Sequence, residues 1–395
     1  MRVIHRRVAV AAALATLLLA SGPAALRAQA PVLHIPVILS LTGSAAFIGK
    51  GEAQDLKLVT DLVNKRGGVN GRQIAFDVQD DGSSAQTALQ LANGILAHKP
   101  PLMMGPTLTQ NCNAVAPVVK ESGTVEWCFS PAIAPAPGGT IFSSSIGARD
   151  LVAAQVRYFR ERGLKRLGVL SSTDATGQSF DNVLATVKTL PENKDVTFIP
   201  SEHFNLSDVS VSAQVARIKA QSPQALLTFT VGPAFGTELH AVADVGLDVP
   251  VSASNGDMIP DQLAQYKAFM PKELYFATAL ASGRLTLNNP KIKAAQATYF
   301  DAFKAAGIRP DFPNTLAWDP TLIMLDAYRK LGFTPTAEQL KAYVDNLHDW
   351  VGINGPYDFR NGDRRGLGRS LTIVARWDPD KADVVTSSGA GGALK

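Results

Sequence analysis

The chain has 395 residues, 46% of them apolar and 18% charged, and carries a formal net charge of +4. All of that excess lies in residues 1–30, where Arg2, Arg6, Arg7 and Arg27 stand without an acidic residue, so the rest of the chain is formally neutral. Its basic spots, at 157–166 and Arg364-Arg365, are too short to make the clustered surface that a nucleic acid or an acidic membrane requires.

In chain order, the first feature is a basic head followed by a thirteen-residue apolar run, Val8 to Ala20, interrupted only by Thr16, and the small-residue sequence Ala28-Gln29-Ala30. That order is the pattern of a secretory signal peptide cleaved near Ala30, and thirteen residues are too few to span a bilayer permanently. From there short apolar runs alternate with amphipathic stretches. Strands are expected at 34–39, 74–78, 102–104, 125–129, 166–170, 197–199, 225–229 and near 249–252. Helices are expected at 53–63, 85–96, 115–120, 151–161, 180–190, 210–220 and 235–245, where apolar residues recur at helical spacing. Strand-helix alternation implies parallel sheet. So many units exceed one doubly wound sheet, which places a division near residue 150. The small-residue stretch 386–395 reads as a frayed tail.

The two cysteines, Cys112 and Cys128, fall at the same end of a sheet, one early in a helix and one late in the next strand. In an oxidising compartment they form a disulfide; the other reading is two buried small hydrophobes. Without a His or acidic partner at ligand spacing they make no metal site.

Three local signals stand in order. Asn64 to Ile74 ends a helix on Gly67-Gly68, turns through Asn70-Gly71 and enters a strand. Asp80-Asp81-Gly82-Ser83 ends that strand with a cap for the next helix. Leu41-Thr42-Gly43 precedes both, and Gly105-Pro106, Ser130-Pro131-Ala132, Asp174 to Gly177 and Gly355 to Phe359 follow. Together, after an exported N-terminus, this string resembles the type I periplasmic solute-binding proteins of ABC importers, in the branched-chain amino acid (Leu/Ile/Val) binding group.

The resemblance implies an α/β fold of two doubly wound, Rossmann-like lobes joined by three hinge strands. Lobe 1 is 31–148 plus about 280–360, and lobe 2 is 149–279 plus about 361–385. It implies a small-molecule ligand, an amino acid or another organic acid, enclosed between the lobes without chemistry or cofactor. It implies a periplasmic monomer that delivers the ligand to an ABC permease and its ATPase. The carboxylate grip falls at Leu108 and Thr109, after the strand that ends at Met104, where a helix N-terminus and a hydroxyl converge; the other reading of Thr109 is an N-cap. Ser130, Ala132 and Ala134 follow the next strand and face the same ligand, with Ala134 where amino-acid binders usually have Thr. Phe47 and Ile48 stand where a Tyr is usual. In lobe 2, Asp174 and Thr176 take the place of the loop that usually carries Tyr-Gly, and Val231 replaces an aromatic. Asp257 is the candidate anion for an α-ammonium, although a gapless match puts Gly256 there. Phe47, Phe235 and Trp127 are candidate apolar walls, or core.

Other classes fit less well. None of the six His lies in a His-Glu-x-x-His pair, Gly177-Gln178-Ser179-Phe180-Asp181 lacks the last Gly of a nucleophile elbow, and there is no phosphate loop. A soluble sensory accessory on the same scaffold is the remaining alternative, and an aromatic or other organic acid is the alternative ligand.

Overall fold

The computed structural model describes residues 31–395. The segment read as an export signal and its cleavage point lie outside the described residues. The first run of elements is β1 (Leu33–Leu39), α1 (Ala46–Lys65), β2 (Ile74–Asp80), α2 (Ala85–Leu96), β3 (Leu102–Met104), α3 (Thr109–Ser122), β4 (Val125–Cys128) and β5 (Ile141–Ser143). They form a parallel sheet of order β2-β1-β3-β4-β5. The winding direction reverses between β1 and β3, the place where open α/β sheets leave a crevice beyond their strand ends.

The chain then builds a second lobe from α4 (Ala148–Glu161), β6 (Arg166–Ser172), α5 (Ala175–Lys188), β7 (Thr197–Phe198), β8 (Glu202–Phe204), α6 (Ser212–Ala220), β9 (Ala225–Phe229), α7 (Pro233–Val245), β10 (Val251–Ala253), α8 (Pro260–Gln265) and β11 (Leu274–Thr278). It returns to the first lobe as α9 (Pro290–Ala305), α10 (Trp318–Leu331), α11 (Ala337–Asp345) and the hairpin β12 (His348–Gly352) and β13 (Gly355–Asp358). Finally β14 (Ile373–Asp378) and β15 (Asp383–Thr386) add antiparallel to the edge of β11. The second sheet runs β15-β14-β11-β10-β9-β6-β7, with β8 also on β6, and reverses direction between β6 and β9. Chain connections cross between the lobes three times, around 144–147, 279–289 and 359–372.

Buried polar struts hold the returning segment, one to α1 and others within the segment itself. Asp55 on α1 accepts the Ala317 N–H at 3.1 Å, and Asp319 accepts the Ile353 N–H and the Tyr357 hydroxyl. Phe359 packs edge-on against both Trp127 and Phe142, whose rings stack at 5.4 Å. Trp127 is therefore core and not a wall of the cleft. Among the described residues no helix is long and apolar enough to cross a membrane.

Each lobe brings the helix that follows its first strand close over that strand by the same device. A Cβ at Gly49 would lie 2.2 Å from the Ser40 carbonyl, and one at Gly177 would lie 1.7 Å from that of Ser172. Only glycine permits that approach. The first loop is then tied down by carboxylates, as Asp80 accepts the N–H groups of Leu41 and Thr42 and the Thr42 hydroxyl, while Asp81 accepts from Ser40 and Asn111.

The stretch expected to fray, 386–395, is instead docked on lobe 2. Gly391 donates its N–H to Thr372, Ser388 accepts the Val374 N–H, and Leu394 donates to the Glu161 carboxylate. Its small residues let the backbone lie against α4, where a Cβ at Gly392 would meet the Ala154 carbonyl at 2.3 Å.

Candidate ligand-binding cleft

Cys112 and Cys128 are joined by a disulfide. It links α3 to the end of β4, and the chain on either side carries the two hydroxyls that meet in the cleft. Thr109, three residues before Cys112, and Ser130, two residues after Cys128, are hydrogen bonded through their side chains at 2.8 Å. Both are buried. Thr109 is the first residue of α3 and Leu108 is its N-cap, with no side-chain capping bond. The capping alternative for Thr109 is thus set aside, and the helix's first N–H groups have no partner within the helix. Thr107, two residues earlier, accepts the Ser40 N–H and donates to the buried Glu52 at 2.5 Å, which holds the loop in place. Burial pushes the Glu52 carboxyl up to about 8.

These groups line a cavity between the lobes. On the lobe 1 side it is walled by Ile48, Leu108, Phe312 and Leu316, with Thr107, Thr109, Ser130 and Ala132 as its polar rim. On the lobe 2 side Leu151, Phe180, Phe229 and Val231 supply the wall, and Thr176, Ser179, Ser254, Asn255 and Gly256 complete it. Phe180 and Phe229 stack with ring centroids 3.6 Å apart. No lining residue is charged. The lobes touch across the opening, where the Ser179 hydroxyl donates to the Ala132 carbonyl at 2.6 Å. The enclosed space, about 60 Å³, is less than half of the roughly 150 Å³ that accommodates benzene. An aryl-sized ligand therefore needs the lobes to part about their connections, the motion that two-lobed binders use.

Six of the expected site residues meet in this cavity: Leu108, Thr109, Ser130, Ala132, Thr176 and Val231. Four do not. Phe47 lies in a neighbouring groove with its ring under Gly232, and Ala134 faces a separate surface hollow beside Arg364 and Arg365. Asp174 caps α5 by accepting the Gly177 N–H. Asp257 is fully buried behind the cavity wall, where its carboxylate oxygen accepts the Gly232 N–H at 2.9 Å. Burial, and then the neighbouring Glu238, raise its pKa well above the usual carboxylate range, so it offers no anion to a ligand. Phe235 packs on Tyr266 and is also not a wall.

The residues missed by sequence reasoning are mostly apolar: Phe180, Phe229, Phe312, Leu316 and Leu151, with Ser179, Ser254 and Asn255. Phe180 and Phe229 stand at a helix and a strand end, and their spacing alone reads as core. Asn255 had a usable signal, since it is adjacent to the position aligned with the family's acidic residue. Among the described residues one trio of potential metal ligands lies within mutual reach, Cys112, Glu126 and Cys128. Both its sulfurs are in the disulfide, and a bridged sulfur offers no thiolate.

A family model described as "Periplasmic binding protein" matches residues 32–382. The chain belongs to the periplasmic binding protein family. Among curated members of this family, the Leu/Ile/Val-binding protein BraC3 of Rhizobium johnstonii is 24% identical over 244 residues, which is 58% of this chain. The match spans 64% of that relative, a little under two thirds of its length. Among solved structures, an extracellular ligand-binding receptor from Rhodopseudomonas palustris HaA2 superposes with a TM-score of 0.79 at 18% identity, covering 90% of this chain and 99% of its own. An ABC transporter solute-binding protein from R. palustris in complex with 4-hydroxybenzoate gives 0.73 at 16% identity, with 90% and 95% covered. At these identities the structural likeness is one of fold. The fold is that of type I periplasmic binding proteins, whose family role is to bind solutes.

Proposed function

We propose that this protein is the extracytoplasmic solute-binding component of an ABC importer and that its ligand is a small carboxylic acid without an ammonium group. The observation that carries the reading is the Thr109–Ser130 hydroxyl pair at the open N-terminus of α3, set in a mostly apolar cavity whose lining carries no charged residue. Hydroxyls, free backbone N–H groups and the positive end of a helix together suit an anion. A buried ammonium needs a counter-charge, and no lining residue supplies one. The ligands of two of the relatives, branched-chain amino acids in one and 4-hydroxybenzoate in the other, share a carboxylate and differ in the rest.

Capture follows from closure. A ligand that touches both lobes favours the closed form by its differential contacts, and a membrane permease with its ATPase then receives the cargo. The protein works as a periplasmic monomer after removal of its export signal. Thermal-shift screening against aliphatic and aromatic monocarboxylates, amino acids, amides and dicarboxylates tests the reading, because a ligand that binds only the folded state raises the melting point. Monocarboxylates are expected to stabilise and amides of the same shape not to; stabilisation by amides equal to that by the acids would sink it.

A further inference from the structure

The lobe 2 side of the cavity holds one buried polar group that nothing in the protein uses. Ser179 is spent on the Ala132 carbonyl, and the Ser254 hydroxyl accepts the Gly256 N–H at 3.2 Å. Asn255 is 5% exposed, lines the cavity, and its side-chain NH2 is buried without a hydrogen-bond partner. It sits in a single 3-10 turn, Asn255–Asp257, that also turns the Asp257 carboxylate away toward the Gly232 N–H. A buried amide donor left unpaired is unfavourable, and a site built to hydrogen bond a ligand group discriminates strongly against the analogue lacking it.

Resting on the proposed carboxylate grip of lobe 1, we infer that Asn255 is the specificity-determining residue of lobe 2 and that the ligand class is a monocarboxylic acid bearing a keto or hydroxyl oxygen. The amide donates to that oxygen when the lobes close. An ammonium in its place has no acceptor of negative charge, because the amide is neutral in either orientation and Asp257 is bound elsewhere. A plain acid leaves the amide as unpaired as it is without ligand. The preference runs oxo acid, then plain acid, then amino acid.

Three compounds of one carbon skeleton separate these cases: 4-methyl-2-oxopentanoate, 4-methylpentanoate and leucine. Calorimetric titration of the exported, purified protein is expected to show the oxo acid binding at least tenfold tighter than the plain acid, with leucine weakest. Asn255→Ala, checked for an unchanged melting point, is expected to abolish the difference between oxo and plain acid. Asn255→Asp is expected to weaken the oxo acid and strengthen leucine. Plain and oxo acids binding equally to the wild type, or an oxo preference that survives Asn255→Ala, would overturn the inference and leave the carboxylate reading standing. Leucine binding tightest overturns both, and so does binding by none of the three.

Discussion

The two walls of the cleft are built differently although the lobes share a fold. Lobe 1 presents a helix N-terminus and paired hydroxyls, Thr109 and Ser130, on a scaffold stapled by the Cys112–Cys128 bridge and braced by Glu52 through Thr107. Lobe 2 presents the stacked rings of Phe180 and Phe229 and a lone amide, with its nearby acids buried behind the wall. The same strand-end geometry thus provides a rigid grip on one side and a shape filter on the other. In such a division of labour, substitutions in lobe 1 should alter affinity for every ligand, and substitutions in lobe 2 should alter stability or choice among ligands.

The largest expected effect tests whether the lobe 2 wall is also core. Phe229 is 7% exposed and stacks on Phe180, so Phe229→Ala should lower the unfolding free energy by about 3–5 kcal/mol, read by urea denaturation. A loss well under 1 kcal/mol would mean that the wall is detachable from the lobe's core. Next is the staple of lobe 1. Cys112 and Cys128 are 16 residues apart in sequence, and opening a loop of that size costs roughly 3 kcal/mol in the chain-entropy account. The double variant Cys112→Ala/Cys128→Ala should lose that stability and also bind its carboxylate more weakly, since the bridge joins the segments that carry Thr109 and Ser130. If affinity is unchanged while stability falls, the bridge serves the fold and not the grip.

Thr109→Val removes one hydroxyl from the grip at nearly constant volume. A hydrogen bond to a charged group contributes about 1.5–3 kcal/mol, so every carboxylate ligand should bind roughly 10- to 150-fold more weakly by calorimetry, with the melting point of the unliganded protein nearly unchanged. A loss confined to one ligand would contradict the assignment of a common grip to lobe 1.

Sequence reasoning reached lobe 1 more surely than lobe 2, for physical reasons. Thr109 is legible because the strand ending at Met104 and the turn at Gly105-Pro106 place a helix start nearby, and the family register counted from Gly105 then falls on its hydroxyl. The alternation of strand and helix reaches most elements down to β10 but not β5, β8 and β11, because β5 and β8 each follow another strand with no helix between to mark them. From the sequence Asp257 reads as a ligand anion because it is the acidic residue nearest the family position. In a 3-10 turn successive side chains point about 120° apart, so one place along the chain decides between the cavity and the interior. Phe180 and Phe229 were not singled out because a cavity wall and a hydrophobic core share one sequence pattern, and only the packing of two lobes distinguishes them. The tail after Thr386 looked structureless for want of large apolar residues, whereas it is held by backbone hydrogen bonds, which leave no trace in composition.

The smallest expected effect concerns the acids behind the lobe 2 wall. Glu238 on α7 is fully buried, and burial pushes its carboxyl up to about 8. The folded protein therefore keeps this proton at neutral pH, while the unfolded chain releases it near the ordinary glutamate value of 4.5. Between those values the native state binds more protons than the unfolded one, so the contribution of this group to stability is fully present below about 4.5 and is lost as pH rises through about 8. Glu238→Gln keeps the shape and removes the titration, so its melting temperature should decline less than that of the wild type from pH 5 to pH 8. Because Glu238 lies outside the cavity, the variant's affinity for a carboxylate ligand should match the wild type at each pH. Parallel melting curves for the two proteins would mean that Glu238 is ionised in the folded state, and the lobe 2 wall would then have an anion behind it with which to attract an ammonium after all.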